Sequence, residues 1–415
     1  MARRDADGHD TPHDPRALRI DHWLTQTMNL AFSTSQSMAA VVVPLLAIHA
    51  GHPIEAVGLL VALSAVTQTA ARLGMGSMMS RIPTKHFLIA ATVLLAASCV
   101  VLGVSVALWA FVVAQLLQGA ARAYFWTGAQ THVIRSSDSA VKALARLNVM
   151  QGVGQLIGPA LAGMIGAWSL QVSLLAAAAA ALIAIAPSFA LVRFRPFASR
   201  KRDAAAGSRQ IWRRPGVATA ASMTAVGGAW RGILNSYLPV ILTAAGYSVP
   251  MAGALITLTN LASLGGSAIA GRVNRLGARA ANALGTSAAG LGLAVASLFA
   301  VPLPIVMIAL AVSGGGAGIL QTIGPALAAD SVIDDERGRA IASIGTFRSV
   351  SLLLSPLATS ALVLLLPSAA IAAAVAGIMI SSPALGAIRR RTVAVDPPPP
   401  ADPTQEGEAD ERDVQ

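Results

Sequence analysis

Residues Gly154–Gly163 read GQLIGPALAG, that is Gly-x-x-x-Gly-Pro-x-x-Ala-Gly, near the start of a long apolar segment. Small residues every four positions strip one face of a helix bare, so a neighbouring helix can approach to near backbone contact. Pro159 removes a backbone donor and perturbs the helix where it is most closely packed. In a soluble protein this would be poor helix sequence. In a membrane helix it is a packing surface with a built-in bend.

The composition around this stretch agrees with a membrane setting. Of 415 residues, 55% are hydrophobic and 12% charged, and 37 are glycine. So few charges cannot solvate a soluble globule of this size. Apolar segments run at about His22–Ala50, Ile54–Met79, Phe87–Ala107, Leu108–Ile134, Leu144–Ala167 and Ser169–Phe194, then at Val217–Gly246, Met251–Val273, Ala280–Val301, Pro304–Asp330, Ala340–Leu366 and Ser368–Ile388. Each can cross about 30 Å of hydrocarbon. The expected fold class is therefore an all-α membrane protein of twelve transmembrane helices.

The net charge of +11 does not point to nucleic acid, because the basic residues are dispersed. They occupy alternate loops: Arg81 and Lys85; Arg135, Lys142 and Arg146; the run Arg193–Arg214; Arg272, Arg275 and Arg279; Arg337 and Arg339; and Arg389–Arg391. The other loops, near Gly51, Ala107, Trp168, Gly246, Pro302 and Pro367, hold no Lys or Arg. That asymmetry predicts a multi-pass protein of the cell (plasma) membrane with both termini cytoplasmic. The single cysteine, Cys99, lies in an apolar run and cannot form an intramolecular disulfide.

Pro44, Gly51 and Gly58 recur at one constant spacing as Pro239, Gly246 and Gly253, and Gly76 recurs as Gly271 at the same spacing. Pro159 recurs as Pro356 at a slightly larger one. Such a repeat predicts two pseudo-symmetric six-helix bundles with a site between them. The expected organisation is a disordered tail (1–20), an N-terminal bundle (21–194), a basic linker (195–215), a C-terminal bundle (216–390) and a second disordered tail (391–415).

Taken together these stretches resemble the major facilitator superfamily, above all its drug/proton antiporter branch. Gly154, Gly158, Pro159 and Gly163 match that branch's fifth-helix signature, with Ala162 in place of one glycine. Gly76, Arg81 and Lys85 match the loop signature Gly-x-x-x-Asp-Arg-x-Gly-Arg-Arg/Lys, with Ser80 at the Asp. The second copy keeps Gly271, Arg275, Gly277 and Arg279, with Asn274 at the Asp. In the family this Asp helps latch the two halves, so the resemblance implies roles in gating and helix packing for these residues and a weaker latch here. In the fourth helix Gln118 and Gly119 match Arg-x-x-Gln-Gly, with Gln115 in the arginine's place. The resemblance implies a proton-linked or exchange-type secondary transporter, an exporter working by alternating access.

Four arginines fall inside expected spans: Arg72, Arg122, Arg231 and Arg348. No Asp or Glu lies deep in any span. A buried cation must face water, a polar partner or an anion, since hydrocarbon exposure costs several kcal/mol. Arg122 and Arg231 sit mid-span, while Arg72 and Arg348 lie nearer the cytoplasmic ends. In the repeat, Arg231 aligns with Gln36 and Arg348 with Gln151. In the family the first, fourth, seventh and tenth spans line the cavity, which adds Asn29, Ser33, Tyr124, Trp126, Asn235, Tyr237 and Gln321 as candidate substrate contacts. His132 is the best-placed titratable group for proton coupling, though one histidine at a helix end is more often structural.

Two substrate classes compete. Organic anions are favoured by the arginine-rich, carboxylate-free interior, and neutral hydrophobic drugs by the Gly-Pro run; cations would find no buried partner. The expected partners are a small-molecule substrate, the lipid bilayer and protons, with the chain a monomer. No metal or cofactor is expected, and no nucleotide-binding Gly-x-x-x-x-Gly-Lys-Ser/Thr run is present. A membrane enzyme would need clustered acids, bases or nucleophiles that the sequence does not gather. The short loops argue against a receptor, and the two-half repeat against a channel.

Overall fold

The computed structural model describes residues 15–79, 81–135, 140–194, 208–299, 302–332 and 337–393, which are almost wholly helical and contain no strand. The N-terminal half holds α1 (Pro15–His49), α2 (Ile54–Met79), α3 (Thr84–Val104), α4 (Leu108–Arg135), α5 (Ala140–Gly166), α6 (Leu170–Ile183) and α7 (Ile185–Ala190). A short 3-10 turn at Ser208–Arg213 leads into the second half. There follow α8 (Pro215–Ser236), α9 (Leu238–Ala244), α10 (Val249–Asn274), α11 (Ala278–Leu298), α12 (Leu303–Asp330), α13 (Arg337–Leu365) and α14 (Ala369–Val393).

These are the twelve expected passes, with α6–α7 making the sixth and α8–α9 the seventh. Pro239 breaks the seventh pass: it stands in the first turn of α9, where its missing N–H costs nothing, whereas inside a continuous helix it would clash with the preceding turn. Nine passes among the described residues are long and apolar enough to cross a membrane by length and composition. The others are α4 and α8–α9, which carry Arg122 and Arg231, and α14, whose apolar part is Ala369–Ser382. Helix α1 begins at Pro15, inside the stretch expected as a tail; residues 1–14, most of the linker (195–207) and 394–415 lie outside the described residues. Exposed Leu364, Leu365, Ile308 and Met164 give the surface the apolar character of a lipid-facing wall, and exposed Trp109 and Trp168 mark pass ends, where such rings favour the membrane interface.

The repeat is visible in the backbone. Gly51 (φ 82°) and Gly246 (φ 95°) end the first and seventh passes in the left-handed conformation glycine tolerates best. Their N–H groups donate to Ile48 and Thr243 carbonyls, each at 3.0 Å.

Glycine sets the helix spacing. A methyl group on Gly154 would sit 2.6 Å from Ser33 Cβ, and one on Gly158 would overlap Ser37, so α5 lies against α1. Ser37 Oγ donates to the Gly154 carbonyl at 3.0 Å across the same contact. In the second half Gly266 and Gly318 bring α12 onto α10, and Gly290 and Gly377 bring α14 onto α11.

Two seams join the halves, α5 to α10 and α2 to α13. On the first, Gly163 approaches Val249 and Pro250, Gly253 approaches Pro159, and Thr257 Oγ1 donates to the Leu156 carbonyl at 3.1 Å. On the second, Gly58 lies against Pro356, Ser360 and the Tyr237 hydroxyl, and Ser360 Oγ donates to the Glu55 carbonyl at 3.0 Å. All these contacts lie toward the ends of the helices remote from the chain termini, the far side. On the terminus side, space beside Gly265, Gly271 and Gly345 is open. Both seams run from the far side to about mid-helix, where Gly152 lies against Leu264 and Arg72 reaches Ser349, and beyond that the halves leave a cleft open toward the termini.

Candidate functional site: an arginine-lined cleft

Helices α2 and α4 place one cluster in the cleft wall. On α2, Ser64, Gln68 and Arg72 follow at four-residue spacing and share a face. On α4, Gln118 and Arg122 do the same. Gly119 is wedged against the Ser64 carbonyl, which brings the two faces together. Arg122 then donates through its terminal nitrogen to Ser64 Oγ at 2.7 Å and through Nε to the Gln118 carbonyl at 3.3 Å. It lies about 20 Å from either end of α4, too deep to reach a membrane surface.

Helix α8 supplies the matching element of the second half. Arg231 and Asn235 are both half-buried and one turn apart, with Gln321 of α12 facing Gly227 one turn earlier. Arg231 donates to Asn260 Oδ1 of α10 at 2.8 Å and rests 4.8 Å from the Trp230 ring centroid. Trp230 is itself fully buried, its indole N–H donating to Ser313 Oγ at 2.8 Å.

Arg72 and Arg348 are exposed to the cleft between these elements. Arg72 donates to Ser349 Oγ across the α2–α13 seam at 3.4 Å. Mutual repulsion links the four guanidinium groups in a row: Arg122 with Arg72, Arg72 with Arg348, and Arg348 with Arg231. Among the described residues only Asp21, Glu55 and Asp330 carry carboxylates, all near helix ends. Among the described residues the hydrogen-bond partners of Arg72, Arg122 and Arg231 are all neutral. Among the described residues Gln68 Oε1 and Gln118 Nε2, one turn from Arg72 and Arg122, and Gln321 Nε2, opposite the turn before Arg231, are buried without a hydrogen-bond partner, as are Gln36 Oε1 on α1 and Ser355 Oγ on α13. A buried amide left unpaired is costly, so this set is suited to a polar guest.

The other expected contacts fall elsewhere. Asn29 is fully buried and donates to the Leu147 carbonyl, tying α1 to α5. Tyr237 is fully buried on the far side, its hydroxyl 2.8 Å from Ser360 Oγ. Tyr124 packs edge-on against Phe87. Trp126 stands edge-on to Phe125 and Phe32, whose rings stack at 3.7 Å. Gln151 is half-buried on α5.

His132 is fully buried and makes a hydrogen-bonding contact with Asp21 at 3.0 Å, while its other ring nitrogen meets Thr84 Oγ1 at 3.1 Å. Asp21 also accepts the Val192 N–H at 2.7 Å, and the Phe194 ring packs on the imidazole. The pair thus pins the terminus-side ends of α1, α3, α4 and the segment after α7, apart from the arginines.

In the loop signatures Gly76 lies in α2, Ser80 lies outside the described residues, and Arg81 is exposed. Lys85 donates to the Phe189 and Leu191 carbonyls, so it caps the sixth pass of its own half. Gly277 (φ 92°) turns the chain into α11, and Gly271, Arg275 and Arg279 are exposed. Ser64, Gln68 and Asn260 were not anticipated. The four-residue spacing Ser64, Gln68, Arg72 was a readable signal for the first two; nothing local marks Asn260.

The Major Facilitator Superfamily profile matches residues 27–273 and again 220–413. No curated protein matches the chain. Many solved structures do. A nucleoside transporter, NupG, superposes with a TM-score of 0.72 at 11% identity, covering 91% of this chain and 100% of that one. A POT family transporter in complex with a thioalcohol-conjugated peptide gives 0.72 at 11% identity over 95% and 99%. A bacterial homolog of the human lysosomal transporter Spinster, captured inward-facing and unoccupied, gives 0.65 at 12% identity over 93% and 94%. At these identities the likeness is one of fold.

Proposed function

The chain belongs to the Major Facilitator Superfamily, and from that premise we propose that it is a secondary transporter exporting small organic anions across the plasma membrane by alternating access. The observation that carries this reading is the row Arg122, Arg72, Arg348, Arg231, which among the described residues has no carboxylate partner and lies beside the unpaired amides of Gln68, Gln118 and Gln321. An anion bound there would relieve the repulsion and supply acceptors that carry charge opposite the guanidinium donors, bonds stronger than those the arginines make to neutral groups. With both termini cytoplasmic, as the basic loops imply, the cleft opens inward. The chain works as a monomer driven by a proton or solute gradient, and His132–Asp21 is the buried acid–base pair available to a proton. Export itself rests on the likeness of Gly154–Gly163 to the antiporter signature.

A second reading, efflux of neutral hydrophobic compounds, draws on the Gly-Pro run Gly154–Gly163 and on Trp126, the partly exposed ring edge-on to the buried Phe32 and Phe125. Thermal stability of the purified protein against organic anions, neutral drugs and cations separates the two, because a bound ligand raises apparent stability by about 2.7 kcal/mol at a hundredfold excess over Kd. Stabilisation by anions that Arg122→Gln and Arg231→Gln both abolish is expected. Stabilisation by neutral drugs that survives both would overturn the anion reading.

A further inference from the structure

We propose that Asn260 is a positioning residue that couples anion occupancy of the cleft to the far-side seam; this rests on Arg231 being an anion ligand. The residue is nearly buried on α10, where α10 meets α5. Pro159 has no N–H, so the carbonyl of Gln155, four residues earlier, lacks its helical donor. Asn260 Nδ2 donates to that carbonyl at 3.0 Å, from the opposite half. Its Oδ1 accepts from Arg231 at 2.8 Å. A guanidinium only donates and a carbonyl only accepts, so the amide orientation is fixed by its partners, and a side chain that both donates and accepts is required.

The bridge lies about two turns along α10 from Gly253, whose contact with Pro159 closes the same seam. It stands near the middle of that seam, one turn before the last close approach, Gly152 against Leu264. The α2–α13 seam ends with Arg72 on Ser349. An anion that draws Arg231 toward the cleft offers it a charged acceptor in place of a neutral amide oxygen. Asn260 then loses the contact that holds its amide in register with the Gln155 carbonyl, and the seam loosens. When the cleft is empty Arg231 returns to Asn260 and the far side stays closed. Occupancy and gate are linked through one amide.

The test places spin labels at Ala167→Cys and Met251→Cys, exposed positions at the far-side ends of α5 and α10, in full-length protein in lipid nanodiscs. The native Cys99 is fully buried and stays unlabelled. Distances are measured with and without benzoate in four backgrounds: unaltered, Asn260→Asp, Asn260→Leu and Arg231→Gln. Asn260→Asp keeps an acceptor for Arg231 but loses the donor to Gln155, and Asn260→Leu removes both, so misfolding of one leaves the other informative. Both are expected to raise the far-side-open population at least ~5-fold without benzoate, within the usual range of coupling energies. Benzoate is expected to open the unaltered protein, while Arg231→Gln, lacking the contact that holds Asn260, is expected to be shifted open without benzoate and to respond no further to it. Distances in both Asn260 variants that match the unaltered protein would overturn the proposal. So would Asn260 variants that open alongside an Arg231→Gln protein that still responds to benzoate. Thermal stabilisation by benzoate, measured in parallel, identifies a different failure: equal stabilisation of the unaltered and Arg231→Gln proteins removes Arg231 as an anion ligand while the benzoate-free distances still report on the bridge.

Discussion

Gly253 of α10 lies so close to Pro159 of α5 that a methyl group on the glycine would overlap the proline carbonyl oxygen. Gly58 of α2 stands in the same relation to Pro356 of α13. These glycines are repeat partners, as are the prolines, so each half contributes one of each to the closed far side.

Replacing Gly253 with Leu is therefore expected to act on the conformational balance more than on folding of either half. Overpacking of this kind costs about 1–3 kcal/mol, a shift of about 5- to 150-fold away from the far-side-closed state. Reaction of a cysteine at Ala167 with a membrane-impermeant maleimide reads that shift. Gly58→Leu should do the same through the other seam. By contrast, Gly158→Leu meets α1 within its own half and should lower yield of folded protein instead.

Gln68 and Gln118 flank Arg72 and Arg122 with buried, unpaired amide atoms. Gln68→Leu and Gln118→Leu leave all four charges in place yet remove one guest contact each, worth about 0.5–1.5 kcal/mol. Isothermal titration with the best-stabilising anion should show a several-fold weaker Kd for each. An unchanged Kd in both would remove these amides from the site.

Asp21→Ala leaves His132 and the Val192 N–H without their shared buried acceptor. The cost is about 1–3 kcal/mol for each group stranded. The melting temperature of the purified protein should fall, and Asp21→Ala combined with His132→Ala should lose less than the two single losses added together, since the residues are in contact.

Lys85→Met removes the ammonium that holds the Phe189 and Leu191 carbonyls. Hydrogen exchange in the segment after α7 should rise while exchange in α10 stays unchanged. A change in α10 would mean instead that the loop signature latches the two halves.

The sequence made the fold legible because a bilayer imposes a length on every apolar run and a sign on every loop. The expected Ile54–Met79 and α2 coincide, and most other ends differ by a few residues. The start of α1 was missed because polar residues from Pro15 onward extend the helix beyond the apolar run that marked it. The arginines were legible for the same reason: charge inside an apolar run is conspicuous. Their partners were not. Asn260 meets Arg231 and Gln155 only through the packing of α10 on α8 and α5, and no local pattern encodes that. Tyr237 resembled a cavity residue by its place on the seventh pass, but its ring is buried at the far-side seam among Gly58 and Ser360. Lys85 likewise matched a loop signature associated with the joining of halves, while its bonds stay within one.

The paired glycine–proline contacts have the form of an isologous interface, in which residue i of one body meets residue j of the other and j meets i in return. A six-helix polypeptide carrying one such glycine and one such proline would satisfy both contacts by pairing with a second copy of itself in parallel. The fused chain thus keeps the geometry of a two-fold dimer at its gate while its arginine-bearing walls differ, so the symmetry needed to close and the asymmetry needed to bind reside at different depths of the same helices.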